Sequence, residues 1–152
     1  MSRKKTRHKP LNNLSTKTGL YAVEENFISV SFRYLSNNRS RNFEFFGDKR
    51  WREKTRALEQ FFSFLQRLTG KHRLDVMKLS KDVDCGFENL PFSAVNCTPS
   101  GYNPSADKSI SVFRFGDNGN GGNYRLLGFF ENNSPVLYII GFDFDYSAYQ
   151  HE

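Results

Sequence analysis

Three apolar runs between residues 109 and 143 constrain the fold more than any other feature of the sequence. They cover residues 109–115, 123–131 and 135–143, and short segments rich in Gly, Asn and Pro join them. Runs of this length with such short connections predict an antiparallel meander. The stretch 136–140 has almost no alternation of polar and apolar residues, so we expect a central strand with both faces covered.

A change of period before the meander predicts one long helix over residues 48–70. Asp48 is the expected N-cap, and Gly70 stands where a C-cap glycine belongs. Phe64 is expected at the edge of the apolar face, partly exposed. The side chains predicted to face the core are Trp51, Leu58, Phe61, Phe62, Leu65 and Leu68.

The segments outside the meander and the long helix give weaker patterns. Alternation over 27–34 and the aromatic residues of 43–46 favour a hairpin across residues 27–46. Residues 73–79 are compatible with a strand or a short helix, and residues 80–108 are expected to be mainly irregular. The predicted class is α+β, in which a mostly antiparallel sheet (the meander plus the N-terminal hairpin) packs against one long helix. We expect residues 20–152 to form one domain, preceded by a basic flexible arm over residues 1–19.

Charge is distributed unevenly along the chain. The net charge is +6 from 22 basic and 16 acidic residues; residues 1–80 hold 18 of the basic and 7 of the acidic ones, whereas residues 81–152 hold 4 and 9. A net +11 in the first part favours an acidic partner such as RNA, although a solubilising terminus and an ordinary solvated helix face are alternatives. The expected RNA contacts are Arg3, Lys4, Lys5, Arg7 and Lys9 in the arm and Arg52 and Arg56 on the helix.

Several classes of protein are disfavoured. No segment approaches the roughly 18 apolar residues of a membrane span, and the first ten residues lack the apolar core of a signal peptide, so we expect a cytoplasmic protein without a membrane partner. Cys85 and Cys97 are expected to be free thiols. We expect no cofactor and no metal: residues 116–123 favour a hairpin turn over a phosphate or calcium loop, and Asp143 and Asp145 favour a strand end over a metal site.

Four side chains in the C-terminal part have the chemistry of a metal-free ribonuclease. Arg114 and Arg125 belong to neighbouring strands of the meander, and Tyr149 and His151 follow its last strand. Cleavage needs a base for the ribose 2′-hydroxyl, a cation for the phosphorane oxygens and an acid for the departing 5′-oxygen. His and Tyr transfer protons, and Arg clamps phosphate through two N–H groups. Ordinary sheet and surface roles are the alternative for these residues.

The segment NYRLLGFFENNSPVLYIIGFDFDYSAYQH resembles the C-terminal signature of the RelE/ParE toxin superfamily. The resemblance covers about the last 45 residues, from Ser109 onward, and the order of helix before meander. It implies a small sheet with helices on one side. It also implies a toxin that cleaves messenger RNA, in many relatives on the ribosome, until a cognate antitoxin masks it.

The resemblance assigns roles to individual residues. Arg125 matches the phosphate-contacting arginine, and Tyr149 matches the terminal aromatic that stacks on or activates the substrate. Arg114 stands where RelE-like toxins place catalytic lysines, and His151 supplies an acid or base, as His does in some relatives. Two positions depart from the family: Asp143 stands close to the place of another arginine, and the predicted 27–46 hairpin replaces a helical hairpin.

Taken together, these features predict a cytoplasmic, metal-independent, RelE-like endoribonuclease with RNA, the ribosome and an antitoxin as partners. The alternative is a non-catalytic nucleic-acid- or ribosome-binding protein of a mobile element or phage-defence system, in which the basic arm and helix carry the binding.

Overall fold

The computed structural model describes residues 26–47, 52–116 and 123–150. Within these ranges the chain forms a five-stranded sheet in the order β1-β5-β4-β3-β2, antiparallel except that β1 runs parallel to β5. The strands are β1 (Ser29–Ser31), β2 (Phe87–Pro91), β3 (Ser109–Phe115), β4 (Tyr124–Phe130) and β5 (Val136–Asp143). The predicted α+β class and the meander β3-β4-β5 are confirmed.

Two α-helices and two short 3-10 helices complete the described part of the chain. The α-helices are α1 (Lys54–Thr69) and α2 (Arg73–Val76), and the 3-10 helices cover Phe43–Gly47 and Phe92–Ala94. Neither α-helix has the length and apolar character needed to cross a membrane. The second α-helix resolves the choice left open for residues 73–79.

Helix α1 packs on one face of the sheet through side chains spaced three or four residues apart. Ala57, Phe61, Phe64 and Leu68 are fully buried. Two predictions are wrong here: Phe64 is buried rather than partly exposed, and Phe62, expected in the core, is 62% exposed. The stripe 57-61-64-68 leaves residue 62 one position outside the face that meets the sheet.

Of the two predicted caps of α1, only the C-cap is confirmed. Gly70 is the C-cap and donates its backbone N–H to the Leu68 carbonyl. At the other end the N-cap position belongs to Glu53, whose side chain makes no capping hydrogen bond, so the prediction of Asp48 as N-cap is wrong. Asp48 and Trp51 themselves lie outside the described residues.

The predicted hairpin over residues 27–46 is wrong. Only β1 is a strand, and it pairs with β5; Phe43–Gly47 is a 3-10 helix. The segment between them forms tight turns and hydrogen-bonds to β5, through Ser36 N to Ile140 O (2.8 Å) and Phe142 N to Arg41 O (2.9 Å). Phe43 and Phe45 also contact rings far along the chain, those of Phe142 and Phe144, which a local alternation pattern does not reveal.

Residues 80–108 contain more structure than predicted. Strand β2 lies at the sheet edge beside β3, with Glu88 opposite Val112 and Leu90 opposite Ile110. After it, the chain crosses the sheet face opposite α1, where Val95 and Cys97 pack on Leu127 and Ile140 in a second apolar cluster. That face is thus covered by irregular segments rather than by a helix.

Gly141 permits one of these segments to lie close to β5. A Cβ atom at this position would lie 2.5 Å from the Cys97 Sγ and 3.1 Å from the Arg41 carbonyl oxygen. Any side chain here would push both covering segments away from the sheet.

Candidate active site

The meander brings together one end of each of its strands. The end of β3, the start of β4 and the end of β5 meet, with Arg114 opposite Arg125 and Arg125 opposite Asp143. Because residues opposite each other in a sheet share a face, these three side chains project away from α1. The start of β2 lies at the same end, which adds Glu88 to this face.

These strand ends form the walls of a concave pocket of about 370 Å³, which we call the strand-end pocket. Its lining consists of Lys81, Glu88, Leu90, Arg114, Arg125, Tyr146, Tyr149 and Gln150. Three of the four candidate catalytic residues, Arg114, Arg125 and Tyr149, therefore meet in one pocket. The fourth, His151, lies outside the described residues.

A chain of hydrogen bonds runs across the pocket. The Arg125 Nε donates to the Tyr149 hydroxyl at 3.1 Å, and that hydroxyl donates to the Glu88 Oε1 at 3.4 Å. Arg125 is only 8% exposed, and its Nη1 donates to the Tyr124 carbonyl at 3.1 Å. The guanidinium also lies 5.8 Å from the centre of the Tyr146 ring, a cation–π distance. Arg125 is thus held in one orientation from several sides.

Two further cations of the pocket, Arg114 and Lys81, share the Glu88 carboxylate, and Arg114 also pairs with Asp82 outside the pocket lining. The Arg114 Nη1 lies 3.4 Å from Asp82 and its Nη2 3.8 Å from Glu88, while the Lys81 Nζ lies 3.4 Å from the other Glu88 oxygen. The Nε of Arg114 is buried and has no hydrogen-bond partner among the described residues. Together with Arg125, the pocket therefore has three cations near two carboxylates, those of Asp82 and Glu88. The net charge of these five side chains is positive.

The environment of Tyr149 favours the protonated phenol. Burial raises its pKa above the usual value of 10, while the hydrogen bond and the charge of Arg125 act in the opposite direction. The net shift is upward. Tyr149 is therefore a proton donor, not a base, at neutral pH.

Asp143, which departs from the family pattern, does not present a bare charge to the pocket. It is 1% exposed, and its Oδ1 lies 3.6 Å from the Nη1 of Arg41, which is 2% exposed. The same oxygen accepts the backbone N–H of Ser147 at 3.0 Å. The neighbouring Arg41 cation offsets the charge of Asp143, so this carboxylate repels a phosphate less than an uncompensated one at the same place would.

Five of the eight lining residues were missed by the sequence analysis, among them Glu88, Lys81 and Tyr146. Glu88 and Lys81 belong to the region predicted as irregular, and the pairing of β2 with β3 is what brings Glu88 to the pocket. Tyr146 follows β5 with a φ of 61°, an uncommon conformation for a residue other than Gly. The five residues of β2, Phe-Glu-Asn-Leu-Pro, do not alternate between apolar and polar, so the sequence carries no strand signal there.

The predicted RNA-binding residues do not line the strand-end pocket. Arg52 and Arg56 are exposed near the start of α1, on the other side of the sheet. That helix start is tied to β4 by a hydrogen bond of 3.1 Å from the Tyr124 hydroxyl to Glu53. The five basic residues of the arm, Arg3, Lys4, Lys5, Arg7 and Lys9, lie outside the described residues, as does the turn 117–122.

Other features of the described residues do not form a second catalytic constellation. A cavity of about 460 Å³ is lined by His72, Arg73, Asp75 and Leu74 with Asn26, Asn133 and Pro135, remote from the strand ends. It is larger than the strand-end pocket but holds none of the predicted site residues. Within the described ranges, no group of three or more His, Cys, Asp or Glu side chains is arranged to hold a metal ion.

Comparisons with protein-family models, with curated proteins and with solved structures find no match to this chain. Functional inference therefore depends on the chemistry of the pocket itself.

Proposed function

We propose that this protein is a RelE-like toxin of a toxin–antitoxin system, a metal-independent endoribonuclease that cleaves messenger RNA. The observation that carries the proposal is the meeting of Arg114, Arg125 and Tyr149 with a carboxylate, Glu88, in one concave pocket. This set supplies a base, a phosphate clamp and an acid within hydrogen-bonding reach of each other.

The attack step uses Glu88. Its carboxylate takes the proton of a ribose 2′-hydroxyl, and the freed oxygen forms a bond to the adjacent phosphorus. Lys81 and Arg114 lie 3.4 and 3.8 Å from this carboxylate and hold it in place in the pocket.

Arg114 and Arg125 stabilise the charge that builds on the phosphorane oxygens. Both are held by neighbouring side chains, so little reorganisation is needed when the charge develops. Arg125 is the more buried of the two, where a charge–charge interaction is less screened by water.

The leaving step uses Tyr149. The P–O5′ bond breaks, and the phenol, whose pKa is raised by burial, delivers its proton to the departing 5′-oxygen. The products are a 2′,3′-cyclic phosphate and a 5′-hydroxyl. His151 is two residues further along the chain and is the second candidate for this proton transfer.

The partners follow from the same proposal. The substrate is cytoplasmic messenger RNA, free or on the ribosome, which Arg52, Arg56 and the basic arm attract through its phosphates. Since an unregulated messenger RNA nuclease stops growth, the proposal includes a cognate antitoxin that blocks the strand-end pocket.

The test is cleavage of labelled RNA by the purified protein, with and without ribosomes and in the presence of EDTA. We expect EDTA-resistant cleavage that leaves a cyclic phosphate, and no cleavage at a position carrying a single 2′-deoxyribose. Tyr149→Phe and Arg125→Ala should each lower kcat by about 10²–10³-fold, the cost of losing a transition-state contact. The exposed Arg39→Ala is the matched control and should retain the wild-type rate.

The proposal is wrong if the folded protein cuts no RNA in any of these conditions. It is equally wrong if Tyr149→Phe and Arg125→Ala both retain the wild-type rate. Tyr149→Phe removes only a hydroxyl, so it separates a loss of chemistry from a loss of folding.

One observation favours the non-catalytic alternative. The cations of the pocket share carboxylate partners, whereas Arg52 and Arg56 are exposed. A binding protein of this kind would show affinity for RNA or ribosomes that falls steeply with salt. That affinity would be reduced by deletion of residues 1–10 and unchanged by Tyr149→Phe.

A further inference from the structure

The guanidinium of Arg41 joins three segments that lie far apart in the sequence. Its Nε donates to the Asn96 carbonyl at 3.0 Å, its Nη2 donates to the Ser147 hydroxyl at 2.7 Å, and its Nη1 lies 3.3 Å from the Asp145 carboxylate. Arg41 is 2% exposed, so its guanidinium is largely shielded from water. A planar group with N–H donors on three nitrogens matches this set of acceptors, whereas a lysine ammonium does not.

Ser147 connects this network to the segment that carries Tyr146 and Tyr149, which line the strand-end pocket. Its hydroxyl donates to the Asp145 Oδ1 at 2.6 Å, and its backbone N–H donates to the Asp143 Oδ1 at 3.0 Å. Burial acts to raise the pKa of Asp145, but the hydrogen bonds from Ser147 and Arg41 hold that pKa below its usual value. The turn after β5 is therefore closed by two carboxyl groups, of Asp143 and Asp145, that face one buried cation.

Tyr149 follows this turn directly. Ala148, between them, is fully buried, and its carbonyl accepts the backbone N–H of Asn96 at 2.5 Å. The Arg41 Nε donates to the carbonyl of that same Asn96. One guanidinium therefore holds the chain directly at Ser147 and, through Asn96, at the Ala148 carbonyl. From this anchored backbone the Tyr149 side chain extends to Arg125 and Glu88.

We propose that Arg41 is a positioning residue for Tyr149. Arg41 touches no pocket-lining side chain in the hydrogen bonds described above, and it acts through Ser147 and Asn96 on the backbone that carries the phenol. The inference rests on the proposed function, because the position of the Tyr149 hydroxyl matters for catalysis only if the pocket cleaves RNA. Its structural content, that Arg41 sets the surroundings of the phenol, is measurable without any cleavage.

The test uses two variants and one control. Ser147→Ala removes a single hydroxyl of an exposed residue and leaves Arg41 facing both carboxylates; Arg41→Lys keeps the charge but not the three-way geometry. Arg39→Lys is the control, since Arg39 is two residues away, largely exposed and paired with Glu44. NMR of protein with labelled tyrosine rings, assigned through Tyr149→Phe, reports on the phenol, and steady-state cleavage gives kcat and KM.

We expect Ser147→Ala and Arg41→Lys to shift the Tyr149 signal and its titration, while the signals of Tyr34 and Tyr102 stay in place. In cleavage, kcat should fall by about tenfold to a hundredfold, the size expected for a displaced proton donor, with KM changed by less than about threefold. Arg39→Lys should match the wild type in both measurements.

An unchanged Tyr149 signal in folded Ser147→Ala overturns the proposal, and so does a uniform shift of all tyrosine signals, which would indicate a general loss of packing. If Arg41→Lys does not fold, Ser147→Ala decides the question alone. If the wild type cuts no RNA, the proposed function fails, and the NMR result still decides whether Arg41 positions Tyr149.

Discussion

The two faces of the sheet are covered by different kinds of structure. On one face, α1 buries Phe61, Phe64 and Leu68 against apolar strand residues. On the other face, irregular segments cover a smaller apolar cluster and bury the charges of Arg41 and Asp143 beside it. Both faces bury apolar area, but the opposite face also buries charges that each need a partner, and the strand-end pocket belongs to that face.

Adjacent phenylalanines of α1 test the helical face. Phe61→Ala removes a fully buried ring and should lower the free energy of unfolding by about 3–5 kcal/mol. Phe62→Ala removes a ring that is 62% exposed and should change it by no more than about 0.5 kcal/mol. Urea unfolding followed by circular dichroism gives both values. Equal losses would show that the helix packs through a different face.

The opposite face is tested by removing one buried charge. Asp143→Asn leaves Arg41 with less compensation, and we expect a loss of about 3 kcal/mol, the lower end for breaking a buried ion pair, because Asp145 still faces the guanidinium. Asp145 has a side chain that is 44% exposed, so Asp145→Asn should cost less than about 1 kcal/mol. The same urea experiment applies. A neutral Asp143→Asn would mean that the buried pair adds nothing to stability.

Each face of the sheet contains one buried cysteine, so thiol reactivity compares how readily the two faces open. Burial raises the pKa of Cys85, in the helical face, to about 11, and that of Cys97, in the opposite face, to about 12. A native thiol of this kind stays protonated and should react with Ellman's reagent at pH 8 at least about a hundredfold more slowly than in urea. Cys85→Ser and Cys97→Ser, each with one thiol left, separate the faces. Fast labelling of only one variant would show that the face holding its remaining thiol opens locally.

The sequence was sufficient for elements whose partners lie nearby in the chain. Strand β3 begins and ends at the predicted residues, and β4 and β5 agree to within one residue at each end. Turns set the register of such a meander, and local alternation sets its faces. The helix was also predictable, although a shift of one position in its apolar stripe exchanged Phe62 and Phe64.

Elements that depend on distant partners were not predictable. The 27–46 segment has the alternation of a hairpin, yet its backbone pairs with β5, more than a hundred residues later. In the pocket, the sequence supplied Arg114, Arg125 and Tyr149, because the meander fixes two of them and the third follows it closely. Predicting Glu88 as a pocket residue would have required knowing that β2, an edge strand of only five residues, pairs with β3. Predicting the role of Arg41 would have required knowing that it contacts Asp145.

The separation of 104 residues between Arg41 and Asp145 also affects when the pocket can form. Contacts between such distant parts of a chain form late, because closing a long loop costs entropy before any contact compensates it. While the protein is being synthesised, residues 41 to 115 leave the ribosome well before the segment that carries Tyr149. A nascent chain therefore holds Arg114 without its phenol, and the complete set of groups assembles only after residue 149 has emerged.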